Sequence, residues 1–166
     1  RAAARLRDRN LPFQLRILGE GPADASLRAL ADQLGVSDHV SWSGFLPQDR
    51  MPAEYGAATV TVLPSRGQAE GLGLTLVEAL LAGSAVVGTP AGGIPEVIRD
   101  GETGLLAQDG DDSDLADKLA LILTDSALRS RLTAQGQTAV QAVYGQHQAI
   151  ARFLELYADI TERHGR

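Results

Sequence analysis

Residues 59–89 read TVTVLPSRGQAEGLGLTLVEALLAGSAVVGT. TVTVLP (59–64) is rich in β-branched residues and predicts a strand, and SAVVGT (84–89) predicts a second, buried one. Between them a loop holding Gly71 and Gly73 leads into an apolar stretch that predicts a helix from Leu74 or Thr75. Two strands joined through a helix are the unit from which a parallel sheet with helices on its faces is built.

The flanking sequence continues the alternation. FQLRIL (13–18) reads as a strand stopped by the turn-rich GEGP (19–22), and HVSWSG (39–44) reads as another. PADASLRALADQLG (22–35) puts Leu27, Leu30, Ala31 and Leu34 at helical spacing, with Gly35 as the C-terminal cap. PQDRMPAEYGAA (47–58) predicts a short helix disturbed by Pro52, and GETGLLA (101–107) a last strand. Three helical stretches follow: DLADKLALILTD (114–125), SALRSRLTAQGQTAVQAV (126–143) and QHQAIARFLELYADITER (146–163). The expected fold is α/β, a doubly wound, Rossmann-like parallel sheet. It spans residues 1–166 as one domain, with a sheet portion at 1–124 and a helical tail at 125–166. Residues 1–9 predict a surface helix rather than a transit peptide. A strand follows at once and none precedes it, whereas doubly wound domains ordinarily open on a central strand. Either the fold differs or its first strand is missing.

Composition narrows the function. Hydrophobic residues make up 44% and charged residues 22%, a globular balance. The net charge of −6 and the sequence pI of about 5.0 argue against a nucleic-acid partner, which calls for basic surface. With no cysteine there is no disulfide, thiolate metal site or cysteine nucleophile. No apolar run approaches the roughly 20 residues that span a bilayer.

Several motifs read as structural. Gly19-Glu20-Gly21-Pro22 follows a strand, but Asp24 stands where a dinucleotide fingerprint needs its third glycine. QDGDDSD (108–114) lacks the glycine and glutamate of a calcium loop and supplies helix N-caps instead. His39, His147 and His164 have no paired spacing that suggests a metal or a triad.

The loop from Pro64 to Glu78 meets several requirements of a ligand site at once. It follows a strand, so it lies at the ligand-binding edge of the sheet. Gly71 and Gly73 permit close backbone approach. The free N–H groups at the start of the next helix suit a phosphate. Glu70 precedes the turn, and Glu78 stands one helical turn beyond it, where a carboxylate accepts bonds from both hydroxyls of a ribose. Each has a second reading. Thr75-Leu-Val-Glu78 is also a capping box, and Glu70 is also an ordinary loop carboxylate. Spacing does not choose between them.

The whole run from PSRGQAEGLGLTLVEAL to DGETGLLA resembles the nucleotide-sugar-binding, C-terminal half of retaining GT-B glycosyltransferases of the family 4 type (glycosyl transferases group 1). The Glu-x7-Glu motif is matched by Glu70 and Glu78, and the GEGP turn by Gly19 to Pro22. The strand ending in V-x-F-x-G is matched by Val40 to Gly44. The A-G-x-x-V-V, GGIPEVI and DGETGLL segments are matched at Ala82–Val87, Gly92–Ile98 and Asp100–Leu106.

The resemblance implies a metal-independent transfer of a hexose from a nucleotide diphosphate sugar, UDP- or GDP-linked, to an acceptor with retention. No cofactor is implied. Glu70 is then the catalytic residue at the donor sugar and Glu78 the ribose ligand. Gly71, Leu72, Gly73, Leu74, Thr75 and Leu76 form the sugar and phosphate cradle, with the Gly44 loop near the base. The partners implied are the donor and an N-terminal acceptor domain. That domain is absent here, as are the diphosphate-gripping Arg and Lys, expected upstream of residue 1. Without them this chain alone is expected to be inactive. The location implied is cytoplasmic, with any attachment to the inner membrane face made through the upstream part. The chain departs from the family in Arg66-Gly67-Gln68-Ala69, which lengthens the step from Pro64-Ser65 to the first glutamate. Arg66 is a candidate substitute for the upstream cations. A non-catalytic nucleotide-sugar-binding module and a GT-B epimerase are the alternative readings.

Overall fold

Ala85, Val86, Val87 and Gly88 form a strand with all four residues buried. A strand apolar on both faces needs cover on both sides, and the layers of this molecule follow from that need. The computed structural model describes residues 1–68 and 70–164, leaving out the side chains of Gln146, His147, Ala149, Glu162 and His164. In chain order the elements are α1 (Ala2–Asp8), β1 (Leu15–Leu18), α2 (Asp24–Gln33), β2 (Val40–Gly44), α3 (Met51–Ala57), β3 (Val60–Leu63) and α4 (Leu74–Leu81). They continue with β4 (Ala85–Gly88), α5 (Ile94–Val97), β5 (Leu105–Leu106), α6 (Asp112–Thr124), α7 (Ser126–Tyr144) and α8 (Gln146–His164).

All strand pairs are parallel, as the alternation of strands and helices requires. β4 lies between β3 and β5, with Val60 opposite Ala85, Leu63 opposite Gly88, and Val87 opposite Leu105. β1 and β2 pair separately, with a register shift between Ile17 and Leu18 that sets Leu18 opposite Gly44. The single sheet expected from the sequence is thus two sheets, and no strand joins them among the described residues.

The alternation of β4 divides the main core in two. Val86 packs with Tyr55 of α3, with Leu76, Val77, Ala79 and Leu80 of α4, and with Ile94 and Val140. Ala85 and Val87 face the other side, against Leu6 of α1, Ala116, Leu119 and Ile122 of α6, and Leu132 of α7. Each fully buried aliphatic side chain contributes about 1.5–3 kcal/mol. α7 supplies buried residues to both clusters, so the helical segment beyond residue 124 is core as far as Val140. α8 leaves Ile150, Phe153, Leu154, Leu156 and Tyr157 exposed. No described helix is long and apolar enough to cross a membrane.

The helix expected over residues 1–9 forms as Ala2–Asp8, and it ties the two sheets together. Ala4 joins Ala31 and Val36 beside β2, while Leu6 joins the α6 cluster. Arg7 donates to the Leu34 and Gly35 carbonyls at the end of α2, and Arg5 bonds Asp112 of α6 at 2.7 Å. Gly35, with φ 64°, closes α2 as expected, with Gly35 N–H on Asp32 O and Val36 N–H on Ala31 O. Pro52 does not disturb α3. It lies in the first turn, where no intrahelical N–H is required. The carboxylates of 108–114 act as the capping reading has it. Asp111 accepts from Ser113 and Asp114 N–H, and Asp114 accepts from Gln108 N–H. His39 stacks on Phe13 at 4.9 Å, and the His147 and His164 side chains lie outside the described set.

A methyl group at Gly136 of α7 would stand 2.5 Å from Leu80 Cδ2 and 2.6 Å from Thr103 O. Gly136→Ala is therefore expected to destabilise the chain by about 1–3 kcal/mol through overpacking, read as a lowered urea midpoint. The hydrogen bond from Arg5 is the first cause holding the Asp112 carboxyl below its ordinary range. A carboxyl depressed in the folded state stabilises above the ordinary carboxylate range and loses that contribution as pH falls through its lowered value. Arg5→Ala should lower the denaturation midpoint at neutral pH, with the two proteins converging in acid. A gap that stays constant across the acid range would refute this linkage.

Candidate functional site

The site is built at the C-terminal ends of β3 and β4. After Leu63 the chain turns through Pro64 and Ser65, and the Ser65 hydroxyl donates to Glu70 Oε2 at 2.7 Å. The Thr89 hydroxyl, just past β4, donates to the Ser65 carbonyl, so the two strand ends are stitched together. The segment then lies on the Gly92-Gly93 turn. Gly92 N–H donates to Gly67 O at 3.2 Å and Gly93 N–H to Gly71 O at 2.6 Å. On the outer side, Gly67 N–H donates to Asp109 Oδ2 at 3.3 Å.

Glycine is required on the inner side of this stack. Gly92 has φ 50°, and a Cβ there would fall 1.8 Å from the Glu70 carbonyl oxygen. One at Gly93 would fall 2.7 Å from Gly71 O. The backbone of Glu70 and Gly71 is therefore positioned by contact with a strip that has no side chains. This close approach is what the GGIPEVI segment provides.

α4 begins at once after the stack. Gly73 is its N-cap in the left-handed conformation, φ 77° and ψ 46°, and is itself buried. A side chain there would press on Ile94 Cγ1 at 3.0 Å. The first amides of a helix have no intrahelical acceptor, and among the described residues none is found for Leu74 and Thr75 N–H. The far end of α4 closes on Gly83, φ 88°, with Gly83 N–H on Leu80 O and Ser84 N–H on Ala79 O. The helix is thus held at both ends by glycine, while Leu76, Val77, Ala79 and Leu80 anchor it on the sheet.

The capping-box reading of Thr75 to Glu78 does not hold, because Gly73 takes the capping position and makes no side-chain cap bond. Glu78 instead accepts from Gln48 Nε2 at 3.3 Å and lies against the Tyr55 phenol. Burial chiefly, then the Glu78 charge and hydrogen bond, push that phenol above its ordinary range, while Thr75 pulls it back. Glu70 and Glu78 are both half-buried, on either side of the Gly71–Gly73 turn.

Glu70, Gly71, Leu72, Gly73, Leu74, Thr75, Leu76 and Glu78 therefore run from the loop into the first turns of α4, with Gly73 and Leu76 buried and the two glutamates half-buried. Gly44 belongs to a neighbouring knot. It has φ 64° at the end of β2, its carbonyl accepts from Gly19 N–H at 2.8 Å, and Phe45 N–H donates to Glu20 Oε1. The GEGP turn is thus structural, and it shapes the loop that carries Gln48 across to Glu78. Sequence reasoning missed Gln48, Tyr55, Ser65 and Thr89. Only Ser65, in the Pro-Ser step that ends a strand, carried any local signal. Among the described residues no group of three or more His, Asp or Glu is placed to hold a metal ion.

Comparison with known proteins agrees with this architecture. Residues 1–139 match the family model "Glycosyl transferases group 1". A GDP-mannose-dependent alpha-(1-6)-phosphatidylinositol monomannoside mannosyltransferase from Mycobacterium tuberculosis is 36% identical over 135 residues, covering 78% of this chain and 34% of that protein. The chain therefore spans about a third of the length of this relative. Sucrose-phosphate synthase from Thermosynechococcus elongatus superposes with a TM-score of 0.82 at 25% identity, over 98% of this chain and 42% of its own. Anabaena Alr3699/HepE, solved in complex with UDP, superposes at 0.77 and 24% identity, over 93% of this chain and 43% of its own. With a family model covering most of its length and GT-B neighbours matching its fold, this chain belongs to the glycosyl transferases group 1 family, as a C-terminal GT-B domain.

Proposed function

We propose that this chain is the donor-binding domain of a longer retaining glycosyltransferase that moves a hexose from a nucleotide diphosphate sugar to an acceptor. The observation that carries the reading is the placement of two half-buried carboxylates on either side of the left-handed Gly73 turn, where α4 presents unpaired amides. Such amides hold phosphate oxygens through their dipoles without calling for a basic surface, which suits a chain of net charge −6.

In this reading the diphosphate and sugar lie over the backbone of Gly71 to Leu76. Glu78 takes the ribose hydroxyls, the Gly44 loop borders the base, and Glu70 faces the donor sugar as the catalytic residue. During transfer the bond from the anomeric carbon to the diphosphate breaks, an acceptor hydroxyl oxygen bonds to the same face, and its proton passes to the departing diphosphate oxygen. Positive charge develops on the sugar and negative charge on the leaving diphosphate. Preorganised N–H dipoles stabilise the second, and an adjacent carboxylate stabilises the first. A donor of UDP or GDP type is supported by the nucleotides named for Alr3699/HepE and for the mycobacterial relative. The acceptor domain and the diphosphate-gripping cations belong, in this proposal, to the remaining two thirds of the parent protein.

In the complete transferase, Glu70→Gln is expected to abolish transfer while nucleotide affinity stays nearly constant. Unimpaired transfer would remove Glu70 from the catalytic role. Glu78→Ala is expected to weaken nucleotide binding by about 1–3 kcal/mol, the value of a hydrogen bond to a charged group, as read by calorimetry. Gly92→Ala forces the Glu70 carbonyl aside. It should weaken nucleoside diphosphate binding and lower the melting temperature, whereas Gly101→Ala, strained by a φ of 75° but with open space at its Cβ and remote from the two glutamates in sequence, should lower the melting temperature while leaving binding intact.

A further inference from the structure

A glutamate on a helix has three rotatable side-chain bonds, and the cost of ordering them falls on whatever it binds unless something else orders it first. Two groups outside α4 meet Glu78. Gln48, in the turn before α3, donates its amide to Oε1 at 3.3 Å. Tyr55 on α3 is only 6% exposed and is packed with Leu76, Val77 and Leu80 of α4, its hydroxyl against the same carboxylate. The apolar packing around Tyr55 would be satisfied equally by phenylalanine, and the partners of its hydroxyl are Glu78 and Thr75, both on α4.

Both groups are neutral donors. They orient the carboxylate without bringing a positive charge to it. An ionised carboxylate accepts about four hydrogen bonds. Two donors from the protein therefore leave room for two more, which is the number that a vicinal diol supplies. We propose that Gln48 and Tyr55 are positioning residues that hold the Glu78 carboxylate for the 2′- and 3′-hydroxyls of the nucleotide ribose. This rests on the donor-site reading above and adds to it the machinery for ribose selection. A tyrosine phenol is protonated at neutral pH in any environment that does not lower it, so the Tyr55 hydroxyl is available as a donor.

The test is calorimetry on the complete transferase with uridine and guanosine diphosphates and with their 2′,3′-dideoxy counterparts. The wild type is expected to bind one of the ribonucleotides about tenfold or more tightly than its dideoxy form, as hydrogen bonds to a charged group require. Tyr55→Phe and Gln48→Ala should each cut that preference severalfold while leaving the dideoxy affinity unchanged. A purely structural role for Tyr55 would weaken both ligands alike, and variants that keep the full preference would overturn the proposal. A wild type that fails to distinguish ribose from dideoxyribose, or binds neither nucleotide, would overturn the donor-site reading itself and this proposal with it. Gln48 is exposed, so Gln48→Ala decides the matter alone if Tyr55→Phe fails to fold.

Discussion

β4 has water on neither face. Val86 and Val87 are both fully buried, on opposite sides, and this constraint calls for a helical layer above and another below. α4 with α3 answers on one side and α6 with α1 on the other, while α7 reaches both. Because α4 is needed as cover, its axis is fixed by Leu76, Val77, Ala79 and Leu80. The position of its first turn follows from that anchoring. The helix end that faces the candidate ligand is thus held in place by the hydrophobic core and not by the loop before it.

The loop is held by a different means. Glu70 and Gly71 rest their backbone on Gly92 and Gly93, at distances that admit no β-carbon, with hydrogen bonds at both ends of the contact. Ser65 and Thr89 add side-chain bonds at the strand ends. A loop rich in glycine has much conformational entropy to lose on folding. Here that loss is offset by docking backbone on backbone. The result is a pair of carboxylates presented by two rigid supports, one a packed helix and the other a glycine strip.

Much of this was legible in the sequence. β-Branched and apolar runs marked β1 to β4 to within two residues at each end, because a buried strand needs those side chains. Helical spacing marked α2, α4 and α6 to α8 for the corresponding reason, and Gly35 marked the end of α2 by its left-handed backbone. Where the reading went astray, local chemistry had two solutions. Thr75 to Glu78 has the spacing of a capping box, yet Gly73 takes the cap once Ile94 and Leu63 close around it. Pro52 has the look of a helix breaker, but it lies in the first turn of a helix that begins at Met51, where its missing N–H breaks no intrahelical bond. GETGLLA makes only the two-residue β5, because Gly101 to Thr103 form a turn and Gly104 makes a single bridge to Asp100.

The sequence by itself determined the element types, the parallel α/β class and the stretch that holds the two glutamates. Each of these depends on periodicity or on a residue's own backbone preference. Only the tertiary structure decided that the strands divide into two sheets, that α1 bridges them, and that Glu78 meets Gln48 and Tyr55 rather than its own helix end. The last contact joins residues 30 positions apart, one in a turn and the other on a helix. No local pattern encodes such a pairing, because it exists only once the packing of α3 against α4 has brought the two segments together.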